Sequence, residues 1–98
     1  MAQFDVHEGR VGKELLLDCQ SDLLDHFDTR LVVPLVPTQT AQTLPRLHPT
    51  FEIAGTPHIM ATQLASAVGV EELGPTVASL ADRRYDILNA LDILITGF

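Results

Sequence analysis

Between Ala81 and Thr96 the apolar residues recur with the period of an α-helix, the clearest pattern in the chain. On a helical wheel Ile87, Leu88, Leu91, Leu94 and Ile95 share one arc, and Tyr85, Asn89, Asp92 and Thr96 share the opposite one. The pattern predicts an amphipathic helix over Ala81–Thr96 that buries the first arc. Gly97 suits the left-handed position that ends a helix. Ser79 or Asp82 could cap the start, and Asp82 and Asp86 lie near its positive end. A helix placed last must close over whatever precedes it, and what precedes it is short and extended.

Gln3–His7 alternates apolar and polar residues and reads as a half-buried strand. Glu8–Lys13 reads as a hairpin loop in which Gly9 and Gly12 supply permissive φ. Glu14–Cys19 and Arg30–Val36 are further strands. Pro34 has no N–H to give a ladder, which predicts an edge or a bulge there. Ser21–Thr29 is an acidic connection with Asp22, Asp25 and Asp28 around Leu23, Leu24 and Phe27. Pro37–Pro49 reads as loop. Phe51–Ala54 and His58–Ala61 are strands joined by a turn at Ala54–Pro57. Thr62–Gly74 is ambiguous, with one helical turn over Gln63–Ala67 before Val68 and Val70 return to extended form. The expectation is one α+β domain over residues 1–98.

The 98 residues carry 6 Lys and Arg against 13 Asp and Glu, a formal charge of −7. Apart from Arg83-Arg84 the cations are dispersed. This balance argues against direct nucleic-acid binding, which needs clustered cations, and against an anionic membrane surface. The 46% apolar content exceeds what one small core absorbs. That surplus predicts a homodimer, with Ala90 and Ile93, outside the helix's core arc, available for the interface. The single cysteine, Cys19, excludes an intrachain disulfide and reads as a small buried hydrophobe. No basic and apolar leader opens the chain, so a cytoplasmic location is expected.

Candidate chemistry is sparse. His7, His26, His48 and His58 show no helical H-x₃-H pair, and one cysteine makes no structural zinc set. Ser21, Ser66 and Ser79 lie outside any nucleophile elbow. Asp22 and Asp25 form a carboxylate pair of the kind acid–base work uses, within a run that more often marks a solvated loop. The scattered glycines build no phosphate loop. The expectation is no cofactor, no metal and no enzymatic activity.

The run Leu16-Leu17-Asp18-Cys19-Gln20-Ser21-Asp22-Leu23-Leu24-Asp25, followed by Arg30-Leu31-Val32-Val33-Pro34-Leu35, resembles the CcdB toxins. Their pattern there is a strand, Val-Gln-Ser-Asp, two aliphatics, Asp, then an Arg-led strand ending in Pro-Leu. Gln3-Phe4-Asp5-Val6, Met60–Ser66, Asp86-Ile87, Asn89-Ala90 and the closing Gly97-Phe98 extend the likeness along nearly the whole chain. The resemblance implies a CcdB/MazF-like SH3-type barrel of mostly antiparallel strands with a C-terminal amphipathic helix. It implies a homodimeric, non-enzymatic toxin that poisons DNA gyrase through the A subunit and is neutralised by a CcdA-like antitoxin. Carried over position by position, the gyrase contacts are Leu23, Leu24, Asp92, Ile95, Thr96, Gly97 and Phe98. Thr96 stands where the family has a stacking Trp, and Asp92 where it has an Asn; the chain has no Trp. Phe98 is the aromatic available in its place. Two alternatives are a MazF/Kid-like endoribonuclease, which shares a related fold, and a degenerate toxin that binds antitoxin without poisoning gyrase.

Overall fold

A computed structural model describes residues 2–38 and 44–97. Among the described residues seven strands precede one helix: β1 Asp5–Gly9, β2 Leu15–Asp18, β3 Thr29–Pro37, β4 Thr50–Ile53, β5 Thr56–Met60, β6 Ser66–Gly69, β7 Leu73–Ser79 and α1 Arg84–Thr96. They form one curled antiparallel sheet of order β4-β5-β3-β2-β1-β7, with β6 alongside β5 on β3. This is the expected α+β architecture of antiparallel strands with a C-terminal helix. The ambiguous stretch resolves into a 3-10 turn over Thr62–Leu64, then β6 and a second 3-10 turn over Val70–Glu72.

The first strand begins at Asp5 rather than Gln3 because Phe4 sits at φ 72, outside the range of a strand. Phe4 is held there from both sides: its N–H donates to Asp18 O and its carbonyl accepts from Leu80 N at 2.8 Å. In the β1–β2 turn the left-handed residue is Lys13, at φ 60, and not Gly9 or Gly12. Ala54 and Gly55, at φ 52 and 80, make the two-residue turn of the β4–β5 hairpin. Paired positive φ values of this kind match the twist of the flanking strands.

Pro34 is neither at an edge nor in a bulge. It lies inside β3, in unbroken register opposite Leu16. On its other side β3 pairs with β6 up to Val32 and with β5 from Leu35. Pro34 occupies the gap between these two ladders. Its carbonyl faces that gap, accepting from Ala61 N at 2.9 Å. In a strand the N–H and C=O of one residue point the same way, so the missing N–H costs no ladder bond.

Both faces of the central strands are covered, which is why Leu16, Leu17 and Asp18 are buried in succession. Phe4, Val6, Leu17, Val33, Leu35, Phe51, Ile53 and Met60 form the main core with Ile87 and Ala90 of α1. Leu16, Val32 and Leu73 form a smaller cluster on the reverse face. The helix meets the sheet on a different stripe from the one its wheel suggests. Ile87 and Ala90 are fully buried, Leu91 and Ile93 flank them half-buried, and Leu88, Leu94 and Ile95 stand exposed. Ala90, expected outside the core arc, lies at the centre of the contact, because its small side chain lets the helix approach the sheet. The homodimer expectation therefore loses Ala90 as a motive. Neither Ser79 nor Asp82 caps α1; a 3-10 turn over Ala81–Arg83 leads into it, and Arg83 Nε donates to Asp86 Oδ2 at 2.9 Å. Gly97 ends the helix at φ 83, its N–H on Ile93 O, as its position predicts.

Ile87→Ala is expected to lower unfolding stability by about 2–5 kcal/mol, as deletion in a packed core does. Ile95→Ala should stay within about 0.5 kcal/mol of the parent. Urea unfolding followed by circular dichroism checks both, and an inverted order would contradict this docking of the helix.

Candidate functional site

Two exposed features carry the residues that the family resemblance nominates. The first is the connection between β2 and β3. Ser21 Oγ accepts from Leu23 N at 3.2 Å and opens a 3-10 turn over Asp22–Leu24. Asp22 Oδ1 accepts from Gln3 N at 2.8 Å, tying the turn to the start of the chain. Leu23 projects from this turn with 87% of its surface open, and Leu24 and Phe27 are exposed beside it. His26 packs on Phe27 with ring centroids 4.4 Å apart. Asp22, Asp25 and Asp28 are exposed, so they form a solvated acidic rim around these apolar groups.

Beneath the turn lies a buried ion pair. The Arg30 and Asp18 side chains are 1% and 0% exposed, with Nη2 and Oδ2 2.7 Å apart. Arg30 Nε also donates to both carboxylate oxygens, at 3.2 and 3.0 Å. Arg30 Nη2 donates to Gln20 O at 3.2 Å. Sequence reasoning took Asp18 and Arg30 as strand residues. The only available signal was their place at the inner ends of two strands joined by one loop.

The second feature is the last turn of α1. Asp92, Ile95 and Thr96 lie together there and all three are exposed, Ile95 with 79% of its surface open. Thr96 Oγ1 donates to Asp92 O at 2.7 Å, which turns the hydroxyl towards the helix backbone. Gly97 closes the turn and is exposed. Phe98 lies outside the described residues. The Leu23 turn is tied to Gln3, next to Phe4 and hence to the Leu80 end of the helix. Asp92–Gly97 lie at the other end of a helix about 20 Å long.

A third feature was not anticipated. A groove of about 240 Å³ opens on the reverse face, floored by Leu16, Val32, Pro34 and Val68 and rimmed by Arg10, Glu14, Ser66 and Glu72. The histidines do not gather in any of these places. His7 Nδ1 meets Gly74 O, His58 Nδ1 meets Thr56 O, and His48 accepts from Leu44 N and meets Gln63 Oε1 at 2.7 Å. Among the described residues no three His, Cys, Asp or Glu converge as a metal site would require. No helix among them is long and apolar enough to cross a membrane.

The family model of the CcdB protein matches residues 3–97. The chain belongs to the CcdB family. It is thus a toxin of the toxin–antitoxin class. Among solved structures it is similar to the Mycobacterium tuberculosis toxin MazF-mt6, with a TM-score of 0.76, 16% identity and coverage of 93% of this chain and 95% of that one. It is also similar to a mycobacterial endoribonuclease in complex with its cognate antitoxin, with a TM-score of 0.74, 18% identity and coverage of 97% and 94%. At such identities the likeness is one of fold.

These neighbours correct one expectation. The chain was expected not to be an enzyme, yet structures that share its fold are endoribonucleases by name, so the fold does not set catalysis aside. The physical fault lies in arguing from total charge. A formal −7 sums the whole surface and says nothing of how Arg10, Glu14 and Glu72 meet around one groove.

Cys19 is buried in the main core, as expected, and its Sγ donates to Leu17 O at 3.6 Å. Burial, with the neighbouring Asp18 carboxylate, pushes the thiol up from 9.0 to about 12. A raised thiol pKa disfavours the folded form once the unfolded thiol can ionise. From pH 9.0 towards about 12 the unfolded thiol ionises while the buried one stays protonated, so the native protein binds more protons and stability falls as pH rises across that window. The contribution is therefore complete below pH 9.0 and declines from there towards about 12. Native protein at pH 8 should resist a thiol-specific disulfide reagent, and one thiol per chain should react once guanidinium unfolds it. Fast reaction of the native protein would contradict this placement.

Proposed function

We propose that this toxin acts in the cytoplasm by binding the A subunit of DNA gyrase and trapping its cleaved-DNA complex. The observation that carries the reading is the open last turn of α1, where Asp92, Ile95 and Thr96 present an apolar side chain beside a carboxylate. Leu23 and Leu24 supply the second part of the contact. An aliphatic side chain held in the open on a rigid helix suits a protein partner, because burying it on binding gains about 25 cal/mol per Å² and costs little ordering.

The two parts lie at different ends of the helix in one chain, which favours a homodimer that sets the tip of one copy beside the loop of the other. Exposed Leu88 and Leu94 are available to such an interface. A CcdA-like antitoxin is the neutralising partner in this reading. With a formal charge of −7 on the toxin, an antitoxin segment carrying basic residues complements it best.

A second reading, RNA cleavage, is favoured by one observation. The reverse-face groove brings a cation, two carboxylates and a hydroxyl together at Arg10, Glu14, Glu72 and Ser66, in a fold that the named endoribonucleases share.

One pair of assays separates the two. Purified protein is expected to inhibit gyrase supercoiling and to accumulate cleaved DNA. Ile95→Asp should weaken that inhibition roughly 10- to 100-fold, the range of a lost interface anchor. Gyrase left untouched, with RNA cut in a way that Arg10→Ala abolishes, would overturn the first reading in favour of the second.

A further inference from the structure

We propose that Gln20 is a positioning residue whose carboxamide holds the β2–β3 connection in the shape that presents Leu23 and Leu24. Its role in target recognition rests on the gyrase reading above.

Leu23 has 87% of its surface open, so no side-chain packing fixes its place. A connection with so little buried apolar surface should open readily unless its backbone is fastened. The fastening converges on one side chain. Gln20 Nε2 donates to Leu24 O at 3.1 Å and to Thr29 O at 3.1 Å. Gln20 Oε1 accepts from Leu31 N at 3.0 Å. Leu24 O also accepts from Phe27 N at 3.3 Å, which occupies both of its lone pairs. The end of the 3-10 turn, the end of the loop and the first residues of β3 are therefore tied to a single amide plane.

Gln20 is itself fixed by the ion pair beneath it. Its N–H donates to Asp18 Oδ1 at 3.1 Å, and its carbonyl accepts from Arg30 Nη2 at 3.2 Å. The order of control runs from the buried pair to the Gln20 backbone, from there to its side chain, and so to the loop.

The chemistry needs an amide. One end must donate twice and the other must accept. A carboxylate of the same size accepts from Leu31 N but faces the Leu24 and Thr29 carbonyls as a third acceptor. Asn is one methylene too short to span the same partners.

The test uses the full chain with Gln20→Glu, and Gln20→Met as an uncharged variant of similar length in case the first does not fold. Amide hydrogen exchange is followed by mass spectrometry, and gyrase inhibition is measured in parallel. The expected result is at least tenfold faster exchange across Leu23–Phe27, unchanged exchange in Ile87–Leu91, and at least a tenfold higher concentration for half-inhibition. Exchange in the loop that matches the parent, or a uniform rise across loop and helix, would overturn the positioning role. Faster loop exchange with undiminished inhibition would overturn its link to recognition. If the parent protein leaves gyrase untouched, the gyrase reading fails, and the exchange measurement alone decides what Gln20 does.

Discussion

The Asp18–Arg30 pair is the constraint around which the molecule's working parts are arranged. An isolated charge at either position would cost several kcal/mol in so dry a site, and even the pair gains little over apolar residues of equal volume. What it supplies is direction. The guanidinium engages both carboxylate oxygens and still reaches the Gln20 carbonyl, and the carboxylate still accepts the Gln20 N–H. It thereby locks the ends of β2 and β3 and the chain leaving β2 into one orientation. The same strands carry Leu17 and Val33 into the main core and Leu16 and Val32 to the reverse face. One buried contact thus ties the ends of the central strands to the base of the exposed loop.

Much of the fold was legible in the sequence because its signals are local. Alternation marked β1 to β5 within a residue or two, and the Gly97 stop and helical period marked α1. The β6–β7 region was not legible: Val68 lies in β6 but Val70, expected to be extended, opens a 3-10 turn, and β7 contains Gly74 and Pro75, which weaken any strand signal. The helix face was misjudged for a related reason. A wheel ranks Leu94 and Ile95 above Ala90, but the docking distance is set by the smallest residue in the contact. Pro34 was read by a rule about ladders, whereas its place between two ladders depends on where β5 and β6 fall along β3. Neither property exists before the chain folds.

The candidate site was legible in part. Leu23, Leu24, Asp92, Ile95 and Thr96 were nominated by resemblance, and the structure leaves all five exposed. The residues that hold the loop in place were missed, since a Gln that bonds three backbone groups looks like any polar residue in a linear sequence. The groove on the reverse face was missed because Arg10, Glu14, Ser66 and Glu72 come from separate segments. A fold that this CcdB-family chain shares with named endoribonucleases does not fix the activity; surface groups decide it.

In the gyrase reading, recognition runs through the β2–β3 loop and the tip of α1. Equilibrium binding to the isolated gyrase A subunit, measured by interferometry, tests it most directly. Leu23→Asp is compared with Val11→Asp, a residue 95% exposed on the β1–β2 turn and outside both features. The account predicts that Leu23→Asp weakens binding at least tenfold and that Val11→Asp leaves it within twofold of the parent. Equal affinity for the parent and Leu23→Asp, or loss of binding in Val11→Asp alone, would contradict it.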